Sequence, residues 1–311
     1  MKNINMPKEN FRAYAAWIAV CIIWGTTYLA IRVGVADLPP MLFAGIRWII
    51  AGCIFLSYLK MRGEKMPARS DLFPIAVVGL LLLGFGNGLV VVGEQWINSG
   101  LTALLITTTP FWIVGFESLL AKGQKLNLLI FTGIVSGLAG VSLIFGSHWE
   151  ELFDPSYLQG VLSILGAVVA WAIGSVYSKY KKLNLNPLVN AAVQMLIAGF
   201  ALTGLGIILG EPSQLHFTEN GTLALAYLIV FGSIFGYGSY IYSISHLPLS
   251  LVSTYAYINP VIALFLGWLL LDERLDFIIL IAAVIIIAGV IMVKRGSKKQ
   301  KLIPGSGDNL S

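Results

Sequence analysis

The chain is divided into runs of about 20 apolar residues that hold almost no charge, and a run of that length has one main physical meaning. It is long enough to cross roughly 30 Å of hydrocarbon as a helix. Ten such runs lie near residues 14–34, 40–59, 72–93, 99–121, 127–145, 158–179, 187–209, 221–245, 249–270 and 277–293. Lipid offers no partner to an unpaired backbone group, so each run must be helical, and all are too continuously apolar for barrel strands. The expected fold is an all-α integral membrane protein of ten transmembrane helices. Composition agrees: 57% of the 311 residues are hydrophobic and 11% charged, whereas a soluble domain carries about a quarter charged residues. The first run follows Lys8 and Arg12 as a signal peptide would. It lacks a small-x-small cleavage site and reads as a retained span.

Charge gives the chain a direction. Assigning the loops alternately from a cytoplasmic N-terminus places 17 of the 20 lysines and arginines on the cytoplasmic side, leaving Arg32 and Arg274 outside and Arg47 within the second run. Such a bias marks the cytoplasmic face, so both termini are expected there. The net charge of +5 is then an orientation signal. Nucleic-acid binding is not expected, because the basic residues form no stacking platform. The sequon Asn220-Gly221-Thr222 falls on the outer face. Cys21 and Cys53 lie in apolar runs and read as free, buried thiols, and the chain shows neither a disulfide framework nor a zinc pattern. No Walker motif is present, which disfavours direct ATP drive.

The two halves resemble each other. At an offset of 147 residues, Trp24 meets Trp171, Leu38 meets Leu185, Pro40 meets Pro187 and Gly52 meets Gly199; at 150, "FGNG" (85–88) meets "FGYG" (235–238) and Pro110 meets Pro260. Each unit holds five runs, so the second copy enters the membrane from the opposite face. That relation is an inverted-topology repeat. Pro110, in "TTTPFW", lies about 11 residues into its run, roughly 16 Å deep at 1.5 Å per residue. Pro260 is equally deep in the ninth. Matched helix breaks at this depth point to a midplane substrate site, and the prolines are candidate gating positions. The carbonyls freed near Ile106 and Ala256 need partners, either the hydroxyls of Thr107 to Thr109, Tyr255 and Tyr257 or a bound solute.

"IIWGTTYLAIRVG", "LPPMLFAGIRWIIAG", "WAIGSVY" and "STYAYINPVIALFLGWLLLDERL" resemble the ten-span EamA-type permeases of the drug/metabolite transporter superfamily. The likeness covers residues 14–293. It implies two inverted five-helix repeats in which spans 1 to 4 and 6 to 9 surround a central cavity, with spans 5 and 10 peripheral. It further implies export of amino acids, related metabolites or amphiphiles across a bacterial inner membrane. The expected organisation is a cytoplasmic segment 1–13, a first repeat 14–145, an extracytoplasmic linker 146–157, a second repeat 158–293 and a basic, disordered cytoplasmic tail 294–311.

Arg47, seven or eight residues into its run, costs about 2.5–3.5 kcal/mol on insertion scales and must find a partner. Either it pairs a substrate carboxylate in the cavity, or it snorkels to the surface or bonds neighbouring carbonyls. Its repeat counterpart is Gln194. Trp24, Tyr28, Trp171, Tyr237, Tyr240, Tyr255 and Tyr257 fall toward run centres, unlike interfacial belt residues. They either wall a cavity for aromatic groups and organic cations or simply pack. Asn87, Ser175 and Asn259 are midspan polar groups, cavity ligands or interhelical contacts alike. Thr107 and Thr108 complete the candidate binding set. A proton-coupled carrier wants a deep carboxylate; Glu117 is the candidate, against the reading that it is an interfacial partner of nearby lysines. Glu94 reads as a cap near the outer surface.

No cofactor or metal is expected. The expected partners are a small-molecule substrate and the bilayer, and a monomer suffices. The leading reading is a secondary transporter working by alternating access. A membrane-embedded enzyme or lipid-carrier translocase subunit is the alternative; such an enzyme would want an intramembrane His/Asp/Glu cluster, which the sequence lacks.

Overall fold

A computed structural model of the chain describes residues 8–120, 127–147, 154–181, 185–272 and 277–301. Its helices are α1 (Lys8–Asp37), α2 (Pro40–Met61), α3 (Arg69–Gly93), α4 (Ser99–Ser118), α5 (Leu128–Ser147), α6 (Pro155–Tyr180), α7 (Pro187–Ile208), α8 (Glu219–His246), α9 (Leu249–Val252 continued by Tyr255–Leu271) and α10 (Phe277–Lys301). Among the described residues, α1 to α4 and α6 to α8 are long and apolar enough to cross a membrane, seven in all. Shorter apolar stretches, Leu128–Gly137, Ile258–Leu271 and Leu280–Val293, lie in α5, α9 and α10. Phe73, Phe200, Ile208, Phe265 and Trp268 are exposed, a surface suited to hydrocarbon.

Element ends extend beyond the apolar runs in places. α1 begins at Lys8, inside the segment assigned to the cytoplasm, and α10 runs to Lys301, through a stretch expected to be disordered. Lysine and arginine are good helix formers and complement the C-terminal end of the helix dipole. Residues 302–311 and 148–153 lie outside the described residues. Cys53 is exposed, not buried, while Cys21 is buried.

Helix starts follow local chemistry. Pro40, Pro155 and Pro187 occupy first-turn positions, where a missing N–H costs nothing. Asp154, Asn186, Asn98 and Thr218 cap their own helices through side-chain oxygens. α2 has Pro39 at that place, which cannot do so. Glu211, in the short 3₁₀ turn Glu211–Gln214 before α8, supplies the cap instead. Its carboxylate accepts from Met41 N at 3.1 Å and Leu42 N at 2.7 Å.

Two helices change pitch midway: α3 is π-helical over Leu80–Asn87 and α8 over Leu228–Tyr237. α4 is interrupted at Thr107–Thr108, and there the proline question is resolved. Thr107, Thr108 and Thr109 hydroxyls donate to the carbonyls of Leu104, Leu105 and Ile106 at 2.5, 2.8 and 2.6 Å. The last of these carbonyls is the one Pro110 leaves without a backbone donor. The second half behaves differently. α9 runs unbroken through Pro260, and its interruption lies earlier, at Ser253–Thr254, where the Thr254 hydroxyl donates to Leu251 O at 2.7 Å. The break expected at Pro260 is therefore displaced toward the start of the helix.

α2 packs along α7, and α5 along α10. Both crossings are reciprocal. A Cβ on Gly52 would lie 3.1 Å from Ala192 O, and one on Gly199 would lie 3.1 Å from Gly45 O; the 147-residue offset carries each contact onto the other. Likewise a Cβ on Gly140 would lie 3.0 Å from Ala282 O, and one on Gly289 would lie 2.6 Å from Gly133 O, related by an offset of 149. Two cations close other gaps. Arg32 of α1 donates to Glu94 O at the end of α3. Lys179 of α6 donates to Ile244 O and Leu247 O at the end of α8, at 2.6 and 2.8 Å.

Candidate functional site

A cavity lies among α1, α2, α3, α4, α6 and α9, enclosing about 570 Å³ of empty space that includes room open to solvent. Trp24, Thr27, Tyr28 and Ile31 form one wall, Gly86, Asn87 and Val90 another, and Ala167, Val168 and Trp171 a third; Arg47, Trp48, Ile106, Thr109 and Tyr255 complete it. A second, wider cavity is bounded by Pro74, Val78, Tyr177, Lys179, Gln194 and Ile244 among others. Along α3 and α6 the two are lined by different stretches of the same helices, Gly86 to Val90 and Ala167 to Trp171 for the first, Pro74 to Val78 and Tyr177 to Lys179 for the second.

An aromatic cluster lies between them. The Trp24 ring centroid is 5.3 Å from that of Trp171 and 5.1 Å from those of Tyr240 and Tyr255. Trp171 is 5.3 Å from Tyr240, and Trp48 is 5.7 Å from Tyr237. The edge-to-face arrangements of Trp24 with Trp171 and Tyr255 suit the ring quadrupole. Polar atoms tie the rings down. Trp24 Nε1 donates to Gly232 O in the π-helical stretch of α8 (3.2 Å), and Trp171 Nε1 to Tyr240 Oη (3.1 Å). Ser175 Oγ meets Tyr240 Oη at 2.6 Å, and Tyr237 Oη donates to Gln194 Oε1 at 2.6 Å.

Arg47 is 2% exposed, so it does not snorkel. Its Nε donates to Ser233 Oγ at 2.8 Å, and its guanidinium carbon stands 4.3 Å from the Trp48 ring centroid. Trp48 Nε1 in turn donates to Asn87 Oδ1 at 3.1 Å. Arg47 Nη1 is buried and has no hydrogen-bond partner among the described residues. Gly232 makes room for the group: a Cβ there would lie 2.8 Å from Arg47 Nη2.

Of the residues singled out from the sequence, Trp24, Tyr28, Arg47, Asn87, Trp171 and Tyr255 face the cavity together. Thr107 and Thr108 do not line it, and Thr109 does. Ser175 and Tyr237 are fully buried in the aromatic cluster, and Gln194 lines the second cavity. Asn259 is buried beside α1, its amide nitrogen 3.0 Å from Tyr255 O and from Cys21 O. Tyr257 lies on α9, and its side chain is outside the described residues. Glu117 is 7% exposed and accepts from Tyr180 Oη at 3.2 Å, so it is buried between α4 and α6; Lys122 and Lys125 are outside the described residues. Glu94 is fully buried, not a surface cap. The sequence reading missed Trp48, Thr27, Ser233 and Gly232. A serine inside "LIVFGSIFGY" was the one available signal.

The profile of the EamA-like transporter family matches residues 11–146 and again 158–295. The chain belongs to the EamA-like transporter family. Among relatives of this EamA-like chain, the "Uncharacterized inner membrane transporter YedA" of Escherichia coli (strain K12) is 38% identical over 284 residues, covering 91% of this chain and 90% of that protein. The "Uncharacterized transporter YoaV" of Bacillus subtilis (strain 168) is 28% identical, covering 88% and 94%. A protein of known crystal structure shares the fold with a TM-score of 0.69 at 22% identity, covering 92% of this chain and 98% of its own. Family and relatives alike are named as transporters, and the described helices include seven long and apolar enough to cross a membrane.

Proposed function

We propose that the protein is a secondary carrier of the bacterial inner membrane that moves small organic metabolites by alternating access through the arginine-bearing cavity. The observation that carries this reading is the pair of cavities on opposite sides of one aromatic cluster, built jointly by helices of both halves. Cargo held against Trp24, Trp171 and Tyr255 passes from one cavity to the other when the cluster parts. In this reading the chain has ten spans in two inverted repeats, with both termini cytoplasmic. Support comes from the reciprocal contacts at the α2–α7 and α5–α10 crossings, since self-complementary contacts accompany a two-fold relation. The cation caps add to it. Offsets of 147 and 150 carry Arg32 and Glu94 onto Lys179 and Ile244, and the two caps sit at opposite ends of the bundle under this topology.

Export is adopted from the family likeness; physically, the gradient decides direction. The test is counterflow in proteoliposomes with radiolabelled amino acids, aromatic acids and amphiphiles, with and without an imposed pH gradient. Saturable accumulation of at least one compound, abolished by Trp171→Ala in a protein that still folds, is the expected result. Accumulation unaffected by that variant would remove the cavity from the path. Concentrative uptake retained in full by Glu117→Gln would exclude that carboxyl group from proton coupling.

A further inference from the structure

We propose that the cavity selects organic monoanions, a single carboxylate on an apolar or aromatic body, over zwitterions and cations. The inference rests on the carrier reading above and sharpens its substrate class. Arg47 is the one charged side chain among the described residues lining the cavity. It has no carboxylate partner among the described residues, and its Nη1 is buried without a hydrogen bond. A buried charge left unpaired is costly, and a guanidinium edge fits a carboxylate through two parallel N–H donors. Ser233 and Trp48 hold Arg47 at Nε and on one face, so its position is fixed before any cargo arrives.

The rest of the lining decides what must accompany the carboxylate. An ammonium group is held best by a carboxylate, and among the described residues lining the cavity there is none; the acceptors there are neutral. Asn87 Oδ1 accepts from Trp48, and the Thr109 hydroxyl donates to Ile106 O. The remaining polar tips include two indole N–H groups, both donors already in use. Aromatic faces would attract a cation, but an unshielded guanidinium in the same low-dielectric space repels it. Trp24, Tyr28 and Tyr255 offer stacking surface for a ring.

Four probes sharing one phenyl ring separate these claims: 3-phenylpropionate, its neutral amide, phenylalanine and phenethylamine. Binding is read from tryptophan fluorescence of the purified full-length protein and carriage from counterflow in proteoliposomes. The expected result is that 3-phenylpropionate binds at least about tenfold more tightly than the amide, the amine is not bound, and the acid–amide difference disappears in Arg47→Gln. Phenylalanine or phenethylamine carried as well as the acid would overturn the monoanion assignment and leave the carrier reading intact. Arg47-dependent binding of 3-phenylpropionate without counterflow would uphold the site and overturn the carrier. No binding of any probe to the wild-type protein would overturn the assignment, and this outcome does not depend on any variant folding.

Discussion

In the proposed carrier, Arg47 combines a stability cost and a function in one side chain. Held at 2% exposure with Nη1 unpartnered, it weakens the unliganded bundle. Arg47→Met is therefore expected to raise unfolding stability, by about 1–2 kcal/mol, because removing a desolvated charge relieves its penalty. The same variant is expected to abolish carriage, and thermal unfolding and counterflow measured on one preparation check both halves of the trade. Gly232→Ala tests the room around the group. Its methyl would press on Nη2, and a severalfold rise in KM with little change in unfolding is expected. Arg47 stood out in the sequence because a charge inside an apolar run must find a partner, and its burial at 2% exposure then decided against snorkelling. Trp48, Ser233 and Gly232 did not stand out, because their importance depends on which faces of α2 and α8 meet, and an almost uniformly apolar helix carries no periodicity that reveals its partner.

Helices in this fold are interrupted at chosen places, and their repairs are local. In α4 the hydroxyl of Thr109 takes over the carbonyl that Pro110 leaves without a donor. Thr109→Val is expected to cost about 1–2 kcal/mol, with Thr109→Ser close to wild type, in unfolding measurements on the detergent-solubilised protein. Glu211 makes a comparable repair across elements. Glu211→Ala leaves Met41 N and Leu42 N without their carboxylate, an expected loss of about 1 kcal/mol, typical of an N-cap. Pro110 and its threonines were readable because proline chemistry is local. The displaced break in α9, at Ser253–Thr254, and the π-helical stretches of α3 and α8 were not. The π-helical stretches meet Trp171, Trp24 and Arg47 at Gly86, Gly236 and Gly232, and no residue type announces such a pitch change.

At the scale of the whole molecule, the cation caps brace opposite ends of the bundle in the proposed inverted topology. Arg32 ties α1 to α3 beside the arginine-bearing cavity, and Lys179 ties α6 to α8 beside the wider one. Each bond of this kind is worth about 1.5–3 kcal/mol, enough to shift a two-state balance about tenfold or more. Arg32→Met is expected to raise maleimide reactivity of Val90→Cys, and Lys179→Met that of Val78→Cys, each in a background lacking Cys21 and Cys53; equal effects of both variants at both sites would refute opposed roles. The glycine crossings carry a different consequence. Because Gly52 and Gly199 play interchangeable parts, either half presents the surface its sibling requires, yet under the proposed topology the lysines and arginines hold each half to one insertion sense. A chain cut within 148–153 and produced as two polypeptides should reassemble, whereas either fragment alone, unable to turn over and meet its own likeness, should stay an orphan for the cell to degrade.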